Sequence, residues 1–170
     1  MNKIDKTLPL LHEKIAKIID INGVANDNGT YKVDYMDTPS QEQLDQVNDI
    51  IESWPLEKAK IEKLQEVDEE WKTALEAGWT TPYGWRLGID ISDVALLNGN
   101  FVLSKEAVNL GMTVPVFVVD TTGESHAFNL TDLTMLMLQY GQARATLSSQ
   151  DAAKRTGIKS CTTIEQLNNL

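Results

Sequence analysis

Apolar residues recur along most of this chain at helical spacing and alternate at strand spacing only in short stretches. Residues 8 to 21 set Leu8, Leu11, Ile15, Ile18 and Ile19 on one stripe. That predicts a short amphipathic helix capped by Thr7, with Pro9 in its first turn. The stretch NGVANDNGT (22 to 30), with two glycines and three asparagines, reads as a turn-rich loop. In YKVDYM, Tyr31, Val33 and Tyr35 then alternate with polar residues as a strand would. A helix is expected from TPSQ onward, with Thr38 as cap, Pro39 in its first position and Gln41 completing a capping box. Leu44, Val47, Ile50, Ile51 and Trp54 form its buried stripe. Pro55 should end or kink it, because proline lacks the N–H and clashes one turn back.

The next segment, LEKAKIEKLQEVDEEWKTALEAG, is helical by propensity but narrow in its apolar seam. Ile61, Leu64, Trp71 and Leu75 define that seam, and Asp68 interrupts it. A helix so polar has little core of its own, so it should pack by one edge against another helix, of this chain or of another copy. Gly78 is placed as its C-terminal stop.

Beyond Gly78 the pattern becomes mixed. WRLGIDI reads as a strand and SDVALLNGNF as a helical turn and loop. Ser104 then caps a short helix, KEAVNL, with Gly111 just past its end. In VPVFVVD, the β-formers Val114, Val116, Phe117, Val118 and Val119 predict a strand. TTGE is its turn, with Asp120 bonding backbone N–H groups and Gly123 taking a positive φ. SHAFNL returns as the second strand of a hairpin, His126 and Phe128 being assigned to opposite faces. TDLTMLMLQYGQARATL predicts a helix capped by Asn129 or Thr131, with Leu133, Leu136, Met137, Tyr140 and Leu147 inward. Ser148 or Ser149 restarts a helix that Gly157 ends, and Thr162 with Glu165 is spaced as the capping box of a terminal helix. The expected class is α+β: N-terminal helical arms with a long polar helix, followed by a small unit with a β-hairpin and packed helices. Its parts would be an N-terminal docking region (1–54), a connecting helix (55–78) and a compact α+β domain (79–170).

Charge narrows the function classes. The 170 residues carry 25 acids against 15 bases, a net charge of −10. That opposes binding to a phosphate backbone or to an anionic membrane, so neither nucleic acid nor membrane is expected as a partner. The single cysteine, Cys161, excludes an internal disulfide and a multi-cysteine zinc site. No charge-free apolar run reaches the roughly 20 residues that span a bilayer, and the N-terminus lacks a signal-peptide pattern.

Catalytic signatures are missing. No G-x-S-x-G, P-loop or G-x-G-x-x-G occurs, and DISD does not extend into a calcium loop. His12 and His126 lie in distant segments, and Cys161 has no histidine nearby in sequence. No catalytic, cofactor or metal residue is therefore assigned. The unusual stretch is EAGWTTPYGWRLGID, which holds Trp79, Tyr83 and Trp85. Its rings read as a plug at the corner between the long helix and the α+β unit. A protein contact is the second reading, since aromatics also anchor interfaces. The expected interface is thus Ile61, Leu64, Trp71, Leu75, Trp79, Tyr83 and Trp85.

The order of segments resembles a family. VDYMDTPSQEQLDQVNDIIESWP, a Lys/Glu-rich helix, AGWTTPYGWRLGID, VVDTTGESHAFNLTDLTMLMLQYG and TTIEQLNNL follow one another. This is similar to small proteins of tailed bacteriophages that carry an uncharacterised domain of the tail-fibre region. The motif positions here are Gly78 and Trp79, then Asp120, Gly123 and His126, then Leu133 to Tyr140 and Thr162 to Leu167. The likeness covers roughly residues 55 to 170. It implies a non-enzymatic structural part of the tail, at fibre or baseplate, or alternatively a fibre-assembly chaperone. Other tail proteins would be its partners, with self-association through the helix as a further option. It would be built in the host cytoplasm and located in the virion, and it would need no cofactor.

Overall fold

The computed structural model describes residues 7–112 and 115–170. The chain is α+β, with a long helix and small β-hairpins. In order it forms α1 (Leu8–Ala16), β1 (Ile21–Asp27), β2 (Thr30–Tyr35), α2 (Gln41–Ala77), β3 (Trp79–Thr80), β4 (Arg86–Leu87), α3 (Ile91–Asn109), β5 (Val116–Val119), β6 (Ser125–Phe128), α4 (Leu130–Ser160) and α5 (Ile164–Asn168). The strands pair as three antiparallel two-stranded ribbons, β1–β2, β3–β4 and β5–β6. Contacts group the chain into two units, residues 1–63 with 158–170 and residues 64–157. Both α2 and α4 contribute to each of them. Of the divisions expected at residues 54 and 78, the first falls inside α2 and the second at its end, whereas contacts cut within α2 and α4.

In the first unit, Leu11, Ile15, Ile21, Val47 and Trp54 form the core, with Ile18, Ile19, Tyr31, Val33 and Ile61 packed on it. The loop expected over residues 22 to 30 is mostly strand β1. Only Asn28 (φ 51°) and Gly29 (φ 88°) turn. Two successive positive φ values are what a tight hairpin needs, and Asn-Gly supplies them at low steric cost. The N-terminal cap of α2 also lies two residues later than expected. Ser40 Oγ accepts from Gln43 N–H (3.3 Å), and Gln43 Oε1 accepts from Ser40 N–H (2.9 Å). Pro55 does not end the helix, which continues to Ala77.

The second unit is built on Leu87, Ile89, Leu97, Val118, Phe128, Leu133, Leu136 and Tyr140. As expected, Gly78 closes α2, at φ 68°. A Cβ there would stand 2.4 Å from the Leu87 carbonyl oxygen, so any other residue must displace the backbone at this corner. Of the strand expected over WRLGIDI only β4 forms. Asp90 leaves it to cap α3, accepting from Asp93 N–H (2.9 Å) while Asp93 Oδ2 accepts from Asp90 N–H (3.2 Å). The short helix expected at KEAVNL is the end of one 19-residue helix, α3. Its apolar residues surround the axis, so no helical period stands out, and Asn98-Gly99-Asn100 imitates a loop.

Further along, α4 runs unbroken through Ser148, Ser149 and Gly157. Its register is held by pairs such as Arg155 with Asp151 (2.8 Å) and with Asp68 of α2 (2.7 Å). Its cap is Asn129, whose Oδ1 accepts from Asp132 N–H (2.9 Å). At α5 the cap is Thr163, one residue later than expected: its Oγ1 accepts from Gln166 N–H (3.2 Å), while Gln166 Oε1 accepts from the N–H of the preceding Thr162 (2.8 Å) in place of the box. Val114, expected at the start of β5, lies outside the described residues, as do residues 1–6.

Candidate functional site

The aromatic corner is assembled from two segments. Thr81 fixes its first turn, its N–H (2.8 Å) and hydroxyl (3.0 Å) both donating to the Trp85 carbonyl. Trp85 is thereby aimed at the β5–β6 hairpin. The His126 ring lies flat on it, with centroids 4.1 Å apart and planes at 4°. Tyr83 is nearly parallel to Trp85 at 6.2 Å, and Phe128 meets both rings edge-on at 5.7 and 6.1 Å. His126 and Phe128 therefore share a face of β6, against the assignment to opposite faces. Residues two apart in a strand point the same way.

Asp120 fixes the imidazole. This carboxylate is buried in the hairpin turn and accepts at Oδ1 from Thr122 N–H (2.8 Å), Thr122 Oγ1 (2.6 Å) and Glu124 N–H (3.0 Å). Its Oδ2 stands 3.0 Å from His126 Nε2. The Thr122 hydroxyl above all, then His126 and the backbone N–H groups, hold its carboxyl well below the usual carboxylate range. Thr121 N–H donates to the Arg86 carbonyl (2.9 Å), tying the same turn to β4.

Chemically this is an Asp–His pair braced by aromatic stacking. One carboxylate orients an imidazole, as in a general-base dyad. Ligand atoms of Asp120, Glu124 and His126 also lie within 4.8 Å of one another, the minimum set for a metal. Yet both Asp120 oxygens are already engaged, Oδ1 in the turn and Oδ2 with the His126 ring. The small cavity beside it holds about 70 Å³ and is lined by Asp93, Asn100, Asp120, Thr121 and Tyr140 among others. That is far below the roughly 300 Å³ of a small-molecule pocket. Tyr140 spends its hydroxyl on the Gly88 carbonyl (2.9 Å), and burial pushes its pKa up to about 12.

The larger concavities of the second unit are elsewhere. A groove of about 650 Å³ runs between the end of α2 and α4, lined by Ala74, Gly78, Trp79, Gln142, Ala143 and Leu147 among others. A second hollow of about 460 Å³ continues it through Val67, Trp71, Ala74, Leu147, Gln150 and Ala153. Ala74, Leu147 and Gln150 border both, so they form one trough.

The seven interface residues expected from the sequence divide accordingly. Ile61 packs on the core of the first unit, and Leu64 is half-buried where the second begins. Leu75, Trp79 and Trp85 pack on the second unit's core. Trp79 also meets Tyr140 edge-on at 5.8 Å. Trp71 and Trp79 line the trough, while Tyr83 is 57% exposed at the rim of the ring cluster. Val67, which is not among the expected seam residues, is buried and lines the hollow beside Trp71. Nothing in the sequence brings Asp120, His126 and Trp85 together as a group. Its only local signal is the turn DTTGESH, which says nothing about which ring will cover the histidine.

Among the described residues no helix is long and apolar enough to cross a membrane. Comparison with protein-family models, with curated proteins and with solved structures gives no match.

Proposed function

We propose that this protein is a non-enzymatic structural component of a phage tail, acting at fibre or baseplate through protein–protein contacts. The trough between α2 and α4 carries the reading. It is open, lined largely by small and apolar side chains, and holds Trp71 and Trp79, a residue type that anchors interfaces. Its border combines the amides of Gln139, Gln142 and Gln150 with Glu70, Lys154 and Asp151, whose charges are met in the ion pairs Lys154–Glu70 and Arg155–Asp151. Such a surface suits a helix or extended segment of another tail protein. The resemblance of residues 55 to 170 to tail-fibre-region proteins supplies the setting. The Asp120–His126 pair serves as an internal brace in this reading.

Mass spectrometry of purified particles tests it: the chain is expected in the virion at a fixed ratio to a fibre or baseplate protein. The same trough suits the alternative, a fibre-assembly chaperone that leaves after capture. Absence from the particle, together with fibre solubility that depends on co-expression of this chain, replaces the structural reading with the chaperone. Absence with solubility independent of it removes both.

A further inference from the structure

We infer that the outward face of α3 is a self-association surface, occupied by the same face of a second copy of this chain. The inward face of α3 packs Val94, Leu97 and Phe101 on the core. The opposite side should be polar in a solitary fold. Instead Ile91 (79% exposed), Leu96 (62%), Val102 (63%), Leu103 (70%) and Leu110 (71%) face solvent. Phe117 and Val119 are likewise exposed on β5, the strand packed beside α3.

The area fits. A buried aliphatic side chain removes roughly 60–120 Å² from water, from about 1.5–3 kcal/mol at about 25 cal/mol per Å². Seven side chains exposed to this degree therefore offer on the order of 400 Å² of apolar surface per copy. A standard interface takes about 800 Å² per partner, somewhat over half of it apolar.

The pattern selects a second copy over another occupant. Leu96, Leu103 and Leu110, the last being the C-cap of α3, lie seven residues apart, so they fall nearly on one line along the helix and its end. They are symmetric about Leu103. An antiparallel two-fold contact places Leu103 against its own mate and Leu96 against the mate's Leu110. That is the self-complementary register a two-fold interface requires. Gly99, where an added Cβ would meet nothing within 4 Å, leaves a notch beside the line that an opposing leucine can enter. Charge points the same way. Residues 91–112 contain only Asp93, Lys105 and Glu106 as charged groups, a sum of −1 out of −10. Glu106 follows Leu103 by three positions and so shares its face, but in this register it falls opposite the uncharged Asn100 of the second copy rather than another acid, and a strongly charged partner finds no counter-charge.

The test is the mass of the full chain by sedimentation equilibrium, from low micromolar to a few hundred micromolar. The expected result is twice the 18.9 kDa chain mass at the upper end. Leu103→Glu should weaken association by on the order of 100-fold or more, because two carboxylates would meet in an apolar seam. Its helical circular dichroism should not change, since Leu103 is exposed within one copy. Should that variant misfold, Leu103→Cys decides: mild oxidation is expected to join copies through that position. A wild-type chain that stays monomeric throughout overturns the inference, as does a dimer that Leu103→Glu leaves intact or a Leu103→Cys chain that does not cross-link. The inference stands apart from the tail reading. A monomer leaves the trough available to a tail protein, and absence from the virion leaves the α3 contact untouched.

Discussion

At the level of single residues, Asp120 and Gly78 concentrate the most local consequence. Asp120 joins a turn to an imidazole, so its charge is part of the fold. Its carboxyl titrates lower in the folded chain than in the unfolded one. The stability it contributes is therefore fully present above the unfolded carboxylate range of about 4, and is lost as pH falls below that toward the depressed folded value. Asp120→Asn should lower the melting temperature at neutral pH and flatten the acid limb of a stability–pH profile. An unchanged acid limb would show that the carboxylate is not linked to folding. Gly78 is constrained by both φ and space. Gly78→Ala should cost about 1–3 kcal/mol in urea unfolding, from positive φ and the contact with the Leu87 carbonyl. Gly84→Ala shares the positive φ (91°) but meets nothing within 4 Å, so its loss should be smaller, about 1 kcal/mol. The glycine stop and the Asp120 turn were both legible in the sequence, because their causes lie within a few residues.

At the level of elements, the errors share one source. Start and stop signals sit in single residues, but helices are held by packing as well as by caps. Ser148, Ser149 and Gly157 sit inside α4, and Pro55 sits inside α2. Proline removes one intrahelical hydrogen bond and crowds the preceding turn. Pro55 is exposed, so its removal sacrifices no core contact. Pro55→Ala should therefore stabilise the chain, by about 1–3 kcal/mol in urea unfolding. A destabilised variant would mean that the proline ring makes packing contacts worth more than the hydrogen bond it removes. α3 went unrecognised for the opposite reason. A helix with apolar residues on every side gives no amphipathic period, although its length and apolar content were present in the sequence.

For the whole molecule, two cores and a large negative charge set the balance. Trp54 is fully buried in the first unit and Leu136 in the second. Trp54→Ala should cost about 3–5 kcal/mol and Leu136→Ala about 2–5 kcal/mol, measured by urea unfolding. Losses below 1 kcal/mol would mean that the packing described for that core is not formed. A net charge of −10 also opposes compaction through self-repulsion. Added sodium chloride screens it, so the melting temperature near pH 7 should rise between low and physiological ionic strength. A fall would show that attractive ion pairs such as Arg155 with Asp68 and Asp151 outweigh the repulsion.

The sequence by itself determined the class of the fold, the apolar stripes that became its cores, the stop at Gly78 and the hairpin at Asp120–Gly123. Each depends on the order of residues within one or two turns of chain, where sterics and hydrogen bonding act at short range. The tertiary structure decided which apolar surface is covered. Trp85 and His126 meet only because β4 and the β5–β6 hairpin dock together, and the leucines of α3 are left uncovered within one copy because the other side of that helix already fills the core. Periodicity can say that a side chain seeks cover, but the cover itself comes from residues distant in sequence, and their arrival is a property of packing.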